Sequence, residues 1–354
     1  MFVSFLYGLL GCDATMFRAN FADSEPGILY EANDLTVAEE PDTLTIINYN
    51  IKYGGARLSF FWECKGTRYS MTEEEVTKHL DAIVGFINWA DPDILILQEV
   101  DRMSLRSAYI DQLQYILDRT KLNYGVYAAQ HRSDFLPTDG MGYIDFGNAT
   151  LSKWPITESE RIALPLVDEY PGYYQYFYLK RHILRAKIEV PNQDDFWAVN
   201  THLEAFSSDG TKKEQIDIVE DTLQEMTAAG NFWVGAGDFN TLPNHSETVV
   251  GFPDACAGVF DEDTYEGEED WMDSMFTSFN SAMDLDSYAE NNQPWFSYTG
   301  DMEVGWNRTL DYVFTNGEWT DRSQNYVMQS LEQGGYETLP ISDHAPVHVS
   351  LDLP

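Results

Sequence analysis

Basic side chains are scarce in this sequence: 21 Lys and Arg stand against 59 Asp and Glu, a formal net charge of −38 at pH 7. So negative a surface repels polyanions over about 8–10 Å at ordinary ionic strength, and it lacks the basic stripe that supplies most non-specific nucleic-acid affinity. Nucleic acid is therefore disfavoured as a partner. An acidic surface is also an adaptation to high salt, where screening would weaken that bias. Cysteine is scarcer still, with three residues, and Cys64 and Cys256 have no metal-ligand spacing between them. Internal repeats, low-complexity tracts and Pro/Gly/Ser linkers are missing, so nothing separates the 354 residues into halves and one large domain is expected. After the first dozen residues no stretch is long and apolar enough to span a bilayer.

The first residues, MFVSFLYGLLGCDAT, resemble a bacterial lipoprotein signal whose Cys12 is lipidated after cleavage, although no Lys or Arg precedes the apolar run. Export to the cell envelope or beyond is the expectation, with membrane attachment through Cys12; a frayed apolar terminus is the alternative. Residues 1–42 are thus read as leader and linker, and 43–354 as the domain, expected to be monomeric. With Cys12 consumed by lipid, Cys64 and Cys256 remain either as an oxidised pair or as two thiols.

Apolar periodicity gives the organisation. TLTIINYN at 43–50 reads as a strand ending on Asn50, broken by Gly54 and Gly55. Thr72 and Glu75 have capping-box spacing, and Val76, Leu80, Ile83, Val84 and Ile87 form one helical stripe. Pro92 stops that helix before DILIL, a strand that delivers Gln98 and Glu99. Further strands are expected at 124–129, 146–152, 182–190, 196–203, 310–315 and 344–351. A second capping box, Thr211 and Glu214, opens a helix with Ile216, Val219, Leu223 and Met226 on its apolar face, feeding the strand in NFWVGAGDFN. Many apolar strands with few helices suggest two packed sheets covered by helices.

Polar residues gather at the strand ends: Asn50, Glu99, His202, Asp238, Asn240, Asp311, Asp343 and His344. One Asp after a strand is usually a turn residue or cap. Eight such residues form a set suited to holding a hard divalent cation and attacking a phosphate. Mg2+ takes oxygen ligands and keeps several waters, so a carboxylate such as Glu99 suffices with the phosphate. A carboxylate such as Asp238 can take the proton of an attacking water, His344 and His202 can donate to phosphoryl oxygens, and Asp311 can orient a histidine. Asp238 and Asn240, one residue apart, are expected to project to the same side while Phe239 packs inward.

NYNIKYGG, DPDILILQEVD, FGNATLSKWPI, VNTHLEAF, GAGDFNTLP, RTLDYVF and SDHAPVHVSL follow one another in an order that resembles the endonuclease/exonuclease/phosphatase superfamily over roughly residues 43 to 352. The resemblance implies an α/β fold, a four-layered α/β/β/α sandwich of two packed mixed sheets flanked by helices, with the site at one end of the sheets. It implies a metal site of Asn50 and Glu99 with Asp343 beside it, Mg2+ being the ion and Mn2+ or Ca2+ the alternatives. His202 then contacts phosphate or assists the leaving group, Asp238 and Asn240 activate water and position phosphate, Asp311 orients His344, and Asn148 contacts substrate. The implied reaction is in-line hydrolysis of a phosphate ester, small or lipid-derived. A nuclease is the alternative, and a non-catalytic binder on the same fold the third reading.

Other features belong to this chain alone. Arg185 is the expected extra phosphate contact, from the basic cluster Lys180, Arg181 and Arg185. Five Tyr and one Phe at 165–182 read as a turn packed on its own scaffold, or as a stacking surface near the site. The acidic run 261–274 lacks EF-hand spacing and reads as a solvated loop. Residues 55–70 read as an insertion on the substrate rim, and His79, His131, His182 and His245 as surface residues.

Overall fold

The computed structural model describes residues 20–64, 66–136, 142–256 and 264–353. Cys12 and residues 261–263 lie outside them. In chain order the main elements begin with β1 (Ser24–Glu25), β2 (Ile28–Glu31), β3 (Thr43–Asn50), α1 (Glu73–Ala90), β4 (Ile94–Asp101), α2 (Gln112–Leu117), β5 (Tyr124–Leu136) and β6 (Gly142–Ser152). They continue with β7 (Ile156–Ala163), α3 (Gly172–Phe177), β8 (His182–Ile188), β9 (Phe196–His202), α4 (Thr211–Ala228) and β10 (Phe232–Asp238). The last are α5 (Asp273–Ser278), β11 (Asn280–Ser281), α6 (Leu285–Glu290), β12 (Asp311–Thr315), β13 (Tyr326–Val327) and β14 (Val347–Asp352).

Two seven-stranded sheets result, ordered β1-β7-β8-β9-β10-β12-β11 and β13-β14-β3-β4-β6-β5-β2. Each contains one parallel pair, β9 with β10 and β3 with β4, and each parallel pair exists because a long helix crosses between its strands. The crossovers bring the C-terminal ends of both pairs to one end of the sandwich: Asn50 lies beside Gln98, and His202 beside Asp238.

Local sequence explains one of the two crossover helices as expected. Thr72 Oγ1 accepts from the Glu75 amide at 3.2 Å while Glu75 Oε2 accepts from the Thr72 amide at 2.9 Å. The second box does not form. Gly210, at φ +89°, takes the N-cap position, Thr211 is already helical, and its amide donates to Asp209 Oδ1 at 2.9 Å. An Asp side chain bonding the backbone two residues on, followed by a glycine free to adopt positive φ, competes successfully with a Thr cap.

Three apolar layers hold the four-layered sandwich. Val76, Leu80, Ile83 and Ile87 of α1 cover Ile47, Leu95 and Leu97 on the outside of one sheet, and Ile216, Val219, Leu223 and Met226 of α4 cover Val199 and Trp233 on the outside of the other. Burying each such side chain contributes about 1.5–3 kcal/mol. Between the sheets, Ile46, Ile96 and Val126 meet Leu184, Ala198, Val234 and Val313.

Toward the site this inner layer turns polar, and its amide side chains bond one another across the sheets. Gln98 Nε2 donates to Asn48 Oδ1 at 2.8 Å and Asn200 Oδ1 at 2.9 Å, and Asn200 Nδ2 donates to the Leu97 and Ala149 carbonyls at 2.9 and 3.0 Å. This buried amide layer stitches the two sheets together just beneath the strand ends.

The structure departs from some expectations and chooses between alternatives in others. The described part of 1–42 is not a linker: β1 pairs with β7 and β2 with β5, adding an edge strand to each sheet. Cys64 and Cys256 are a disulfide, with Cα atoms 5.4 Å apart, tying the 55–70 insertion to the loop after β10. His131 and His182 are buried on β5 and β8, and His79 is half-buried with Nδ1 2.9 Å from the Gly54 carbonyl; only His245 is exposed. Tyr170, Tyr174 and Tyr178 pack ring against ring, with Tyr174 itself and its neighbour Tyr173 exposed. Among the described residues no helix is long and apolar enough to cross a membrane.

Candidate active site

Sheet register assembles most of the site. His202 stands beside Asp238 across β9 and β10, and Asp238 beside Asp311 across β10 and β12, so the three form a row on one face of one sheet. Asn50 reaches over from the facing sheet, its Nδ2 3.1 Å from Asp238 Oδ2 and 3.3 Å from Glu99 Oε1. Glu99 is delivered by a bulge. Leu97 pairs with Ala149 and Val100 with Gly147, so Gln98 and Glu99 together oppose the single residue Asn148, and Glu99 takes φ +57°. A bulge re-aims a side chain that regular pairing would leave on the other face. His344 comes from the segment before β14, anchored where Ser342 Oγ donates to the Asn50 carbonyl at 2.8 Å.

His344 lies between two carboxylates. Its Nδ1 is 2.7 Å from Asp311 Oδ2 and its Nε2 3.4 Å from Asp238 Oδ2, with the edge of Tyr298 against the ring. Burial alone would discourage its proton, but Asp311 and Asp238 outweigh it and hold the pKa up at about 10. Asp238 is pushed up to about 7, by burial first and by Asp311 and Glu99 in addition, against the pull of His344 and the bond from Asn50. His202 Nε2 is 3.5 Å from Asp238 Oδ2, yet burial, then the charges of Arg181 and His344, drive its pKa well below the ordinary value. The pair therefore divides into a cationic His344 and a neutral His202.

Asp238, Asp311 and His344 offer ligand atoms within 4.8 Å of one another. A protonated imidazole has no lone pair for a cation, however, and Asp311 Oδ2 is already committed to it. The better fit for a hard cation is Asn50, Glu99 and Asp343. Glu99 is raised by burial and next by the charge of Asp343, the mark of carboxylates crowded together that a cation would relieve. Asp343 itself stays below the ordinary range despite its burial, because Lys52, His344 and Arg57 face it; Lys52 Nζ is 3.5 Å away and bridges to Glu63 Oε1 at 2.9 Å. Glu63 belongs to the 55–70 insertion, so that segment does reach the rim.

Two expected residues sit differently. β10 ends at Asp238, and Asn240 has φ +50°, so strand alternation does not set its direction. Its amide donates to Asp238 Oδ1 at 3.0 Å and its Nδ2 to the Leu203 carbonyl at 3.1 Å, while Phe239 is buried as expected. Arg185 is not at the site. It shares the outer face of β8 with Ile183, bonds Glu160 Oε2 at 2.8 Å and stacks over Trp197. Asn148 is fully buried opposite the bulge with both amide atoms unpaired.

Arg181 was the missed member of the same basic cluster. It is buried, its Nε is 3.6 Å from Glu204, its Nε and Nη1 lack hydrogen-bond partners, and its charge acts on His202. Lys180 instead caps α3 through the Gln175 and Tyr176 carbonyls. In the acidic run Glu266, Glu269 and Asp270 are exposed as expected, but Glu268 is buried and bonded to Lys212.

Fold and strand-end cluster together define a two-sheet α/β sandwich with buried carboxylates and histidines at one end. The chain belongs to the Endonuclease/Exonuclease/phosphatase family, whose model matches residues 48–344. Members of this family are metal-dependent phosphoesterases and nucleases. The fold is similar to that of an endonuclease/exonuclease/phosphatase from Beutenbergia cavernae DSM 12333, at 19% identity and TM-score 0.57 over 88% of this chain and 72% of that one. It is similar also to the human Nocturnin catalytic domain with bound sulfate anion (16%, TM-score 0.52, 93% and 98%) and to a functionally unknown conserved protein from Enterococcus faecalis V583 (16%, TM-score 0.52, 88% and 100%). No curated protein matches the chain.

Proposed function

We propose that this protein is a Mg2+-dependent phosphoesterase that hydrolyses a small or lipid-derived phosphate ester by in-line attack of water. The observation that carries the reading is the chain Asp311–His344–Asp238, closed by contacts of 2.7 and 3.4 Å, with a neutral His202 beside it. Asn50, Glu99 and Asp343 would hold the ion, which supplies charge neutralisation at the phosphoryl oxygens. Asp238, oriented by Asn50 Nδ2 and the Asn240 amide, accepts the proton of the attacking water. Protonated His344 offsets the charge gathering on the phosphoryl group, and neutral His202 donates a hydrogen bond to it without adding a second buried cation.

Arg181, whose charge acts on His202, adds a buried cation beside the site. The net charge of −38 favours a small or lipid-derived ester over nucleic acid. The disulfide supports an exported enzyme, since such bonds persist in oxidising compartments. Hydrolysis of bis-p-nitrophenyl phosphate and p-nitrophenyl phosphate, with Mg2+ and with chelator, tests the reading alongside His344→Ala. Metal-dependent release that the variant loses is the expected result, and the preferred substrate separates diesterase from monoesterase. Release that survives both chelator and His344→Ala would overturn it.

A further inference from the structure

Lys212 occupies a position that ordinary helix chemistry disfavours. It is the second residue of α4, where the helix dipole repels a cation, and it is almost fully buried, where an ammonium loses its hydration. Every donor is nevertheless used: Nζ bonds the Asn240 carbonyl at 2.8 Å and both carboxylate oxygens of Glu268 at 2.9 and 2.8 Å. Glu268 also accepts from Thr241 Oγ1 at 3.0 Å, and the Thr241 carbonyl accepts from Tyr312 Oη at 2.8 Å. Tyr265 and Trp271, from the same acidic segment as Glu268, lie beside the ammonium. Asn240 and Thr241, the second and third residues past the strand end at Asp238, are thus bonded from three directions, and Asn240 has a left-handed backbone, which asparagine tolerates better than most non-glycine residues.

We infer that Lys212 and Glu268 form a buried ion pair whose function is to position Asn240, and through its amide the carboxylate of Asp238, for attack on the phosphate. The inference rests on the proposed phosphoesterase reading. Neither residue touches the reacting atoms; both act through the Asn240–Thr241 backbone. A brace of this kind stabilises the transition state rather than the bound substrate, so its loss lowers kcat and leaves KM nearly unchanged.

The test compares Lys212→Met, Lys212→Arg, Asp238→Asn and the double variant Lys212→Met/Asp238→Asn. Lys212→Met should lower kcat by about 10- to 100-fold, the usual cost of losing a residue that orients a site, with KM within about twofold. Lys212→Arg should restore most of the loss, and in the Asp238→Asn background Lys212→Met should cost under about threefold, because the carboxylate positioned through the Asn240 backbone is already gone. Full additivity of the two losses would overturn the inference.

Hydrogen exchange of the wild type and Lys212→Met reads the brace without any substrate. Exchange should quicken at residues 239–242 and stay unchanged in β9 and β12; unchanged exchange at 239–242 would overturn the brace. Absence of hydrolysis by the wild type, with exchange behaving as expected, would count against the phosphoesterase reading alone.

Discussion

The space between the two sheets has two ends built from the same strands. At one end Ile46, Ile96, Val234 and Val313 fill it with apolar side chains; at the other, a few residues along, Asn50, Glu99, Asp238 and Asp311 fill it with groups that are costly to bury. The amide layer of Asn48, Gln98 and Asn200 separates them, with its hydrogen bonds made inside the protein. The apolar end supplies stability that the polar end uses up. The polar end holds charge in a low-dielectric setting, where it acts strongly on a reacting group.

Paired substitutions across that boundary give the largest expected effects. Asp238→Asn should abolish most turnover, a loss of about 10²–10⁴-fold, while thermal denaturation shows a melting temperature equal to or above the wild type, because an ionised carboxylate is no longer forced into the core. Ile96→Ala should do the reverse, costing about 2–5 kcal/mol in denaturant unfolding with kcat of the folded fraction unchanged. If Asp238→Asn unfolds the protein, or Ile96→Ala lowers kcat directly, the division between the two ends is wrong.

A smaller effect separates two arginines four residues apart. Arg181→Ala should lower kcat/KM by about 10- to 100-fold, the worth of hydrogen bonds from a charged donor. Arg185→Ala should leave it within about twofold, since its guanidinium bonds Glu160 on the outer face of the sheet. Steady-state kinetics on both variants decide this, and equal losses would return Arg185 to the site.

The mildest perturbation is pH. Asp238, raised to about 7, must lose its proton to act as base, so kcat/KM should climb about tenfold per pH unit below 7 and level off above it. His344, raised to about 10, must keep its proton, so activity should fall as pH passes 10, and His344→Gln should remove that falling limb. Stability follows the same signs. The contribution of His344 is complete below its ordinary value near 6.5 and is lost as pH rises through 10; that of Asp238 declines as pH rises from about 3.8 to 7, because the folded state binds the proton more tightly. A flat pH–rate profile between 5 and 8 would contradict the assignment of Asp238.

Much of this arrangement was legible in the chain because it is written in local chemistry. Apolar runs with polar ends predict β3, β4, β9 and β10, the Thr72–Glu75 box predicts the start of α1, and periodicity predicts the buried face of α4. What escaped depends on how backbone and neighbours settle together. Strand parity put Asp238 and Asn240 on one side, but the strand stops between them. Hydrophilicity put residues 261–274 in solvent, yet Glu268 is drawn inside by a buried lysine 56 positions earlier. Neither charge nor strand parity could choose between Arg181 and Arg185, four residues apart: Arg181 lies just before β8 and meets Glu204, while Arg185 lies within it and bonds Glu160. Residues 24–31 carry too short a pattern to announce edge strands, and pairing with β7 and β5 supplies the hydrogen bonds that make them so.

By itself the sequence determined the two β–α–β crossovers, and with them the end of the sandwich at which polar residues must collect, since hydrophobic periodicity and strand direction are local properties. The tertiary structure alone decided which nitrogen of His344 meets which carboxylate, that His202 stays neutral beside it, that a bulge delivers Glu99, and that Cys64 joins Cys256. Each of these depends on distances between groups far apart in the chain, and burial fixes them only once both sheets are in place.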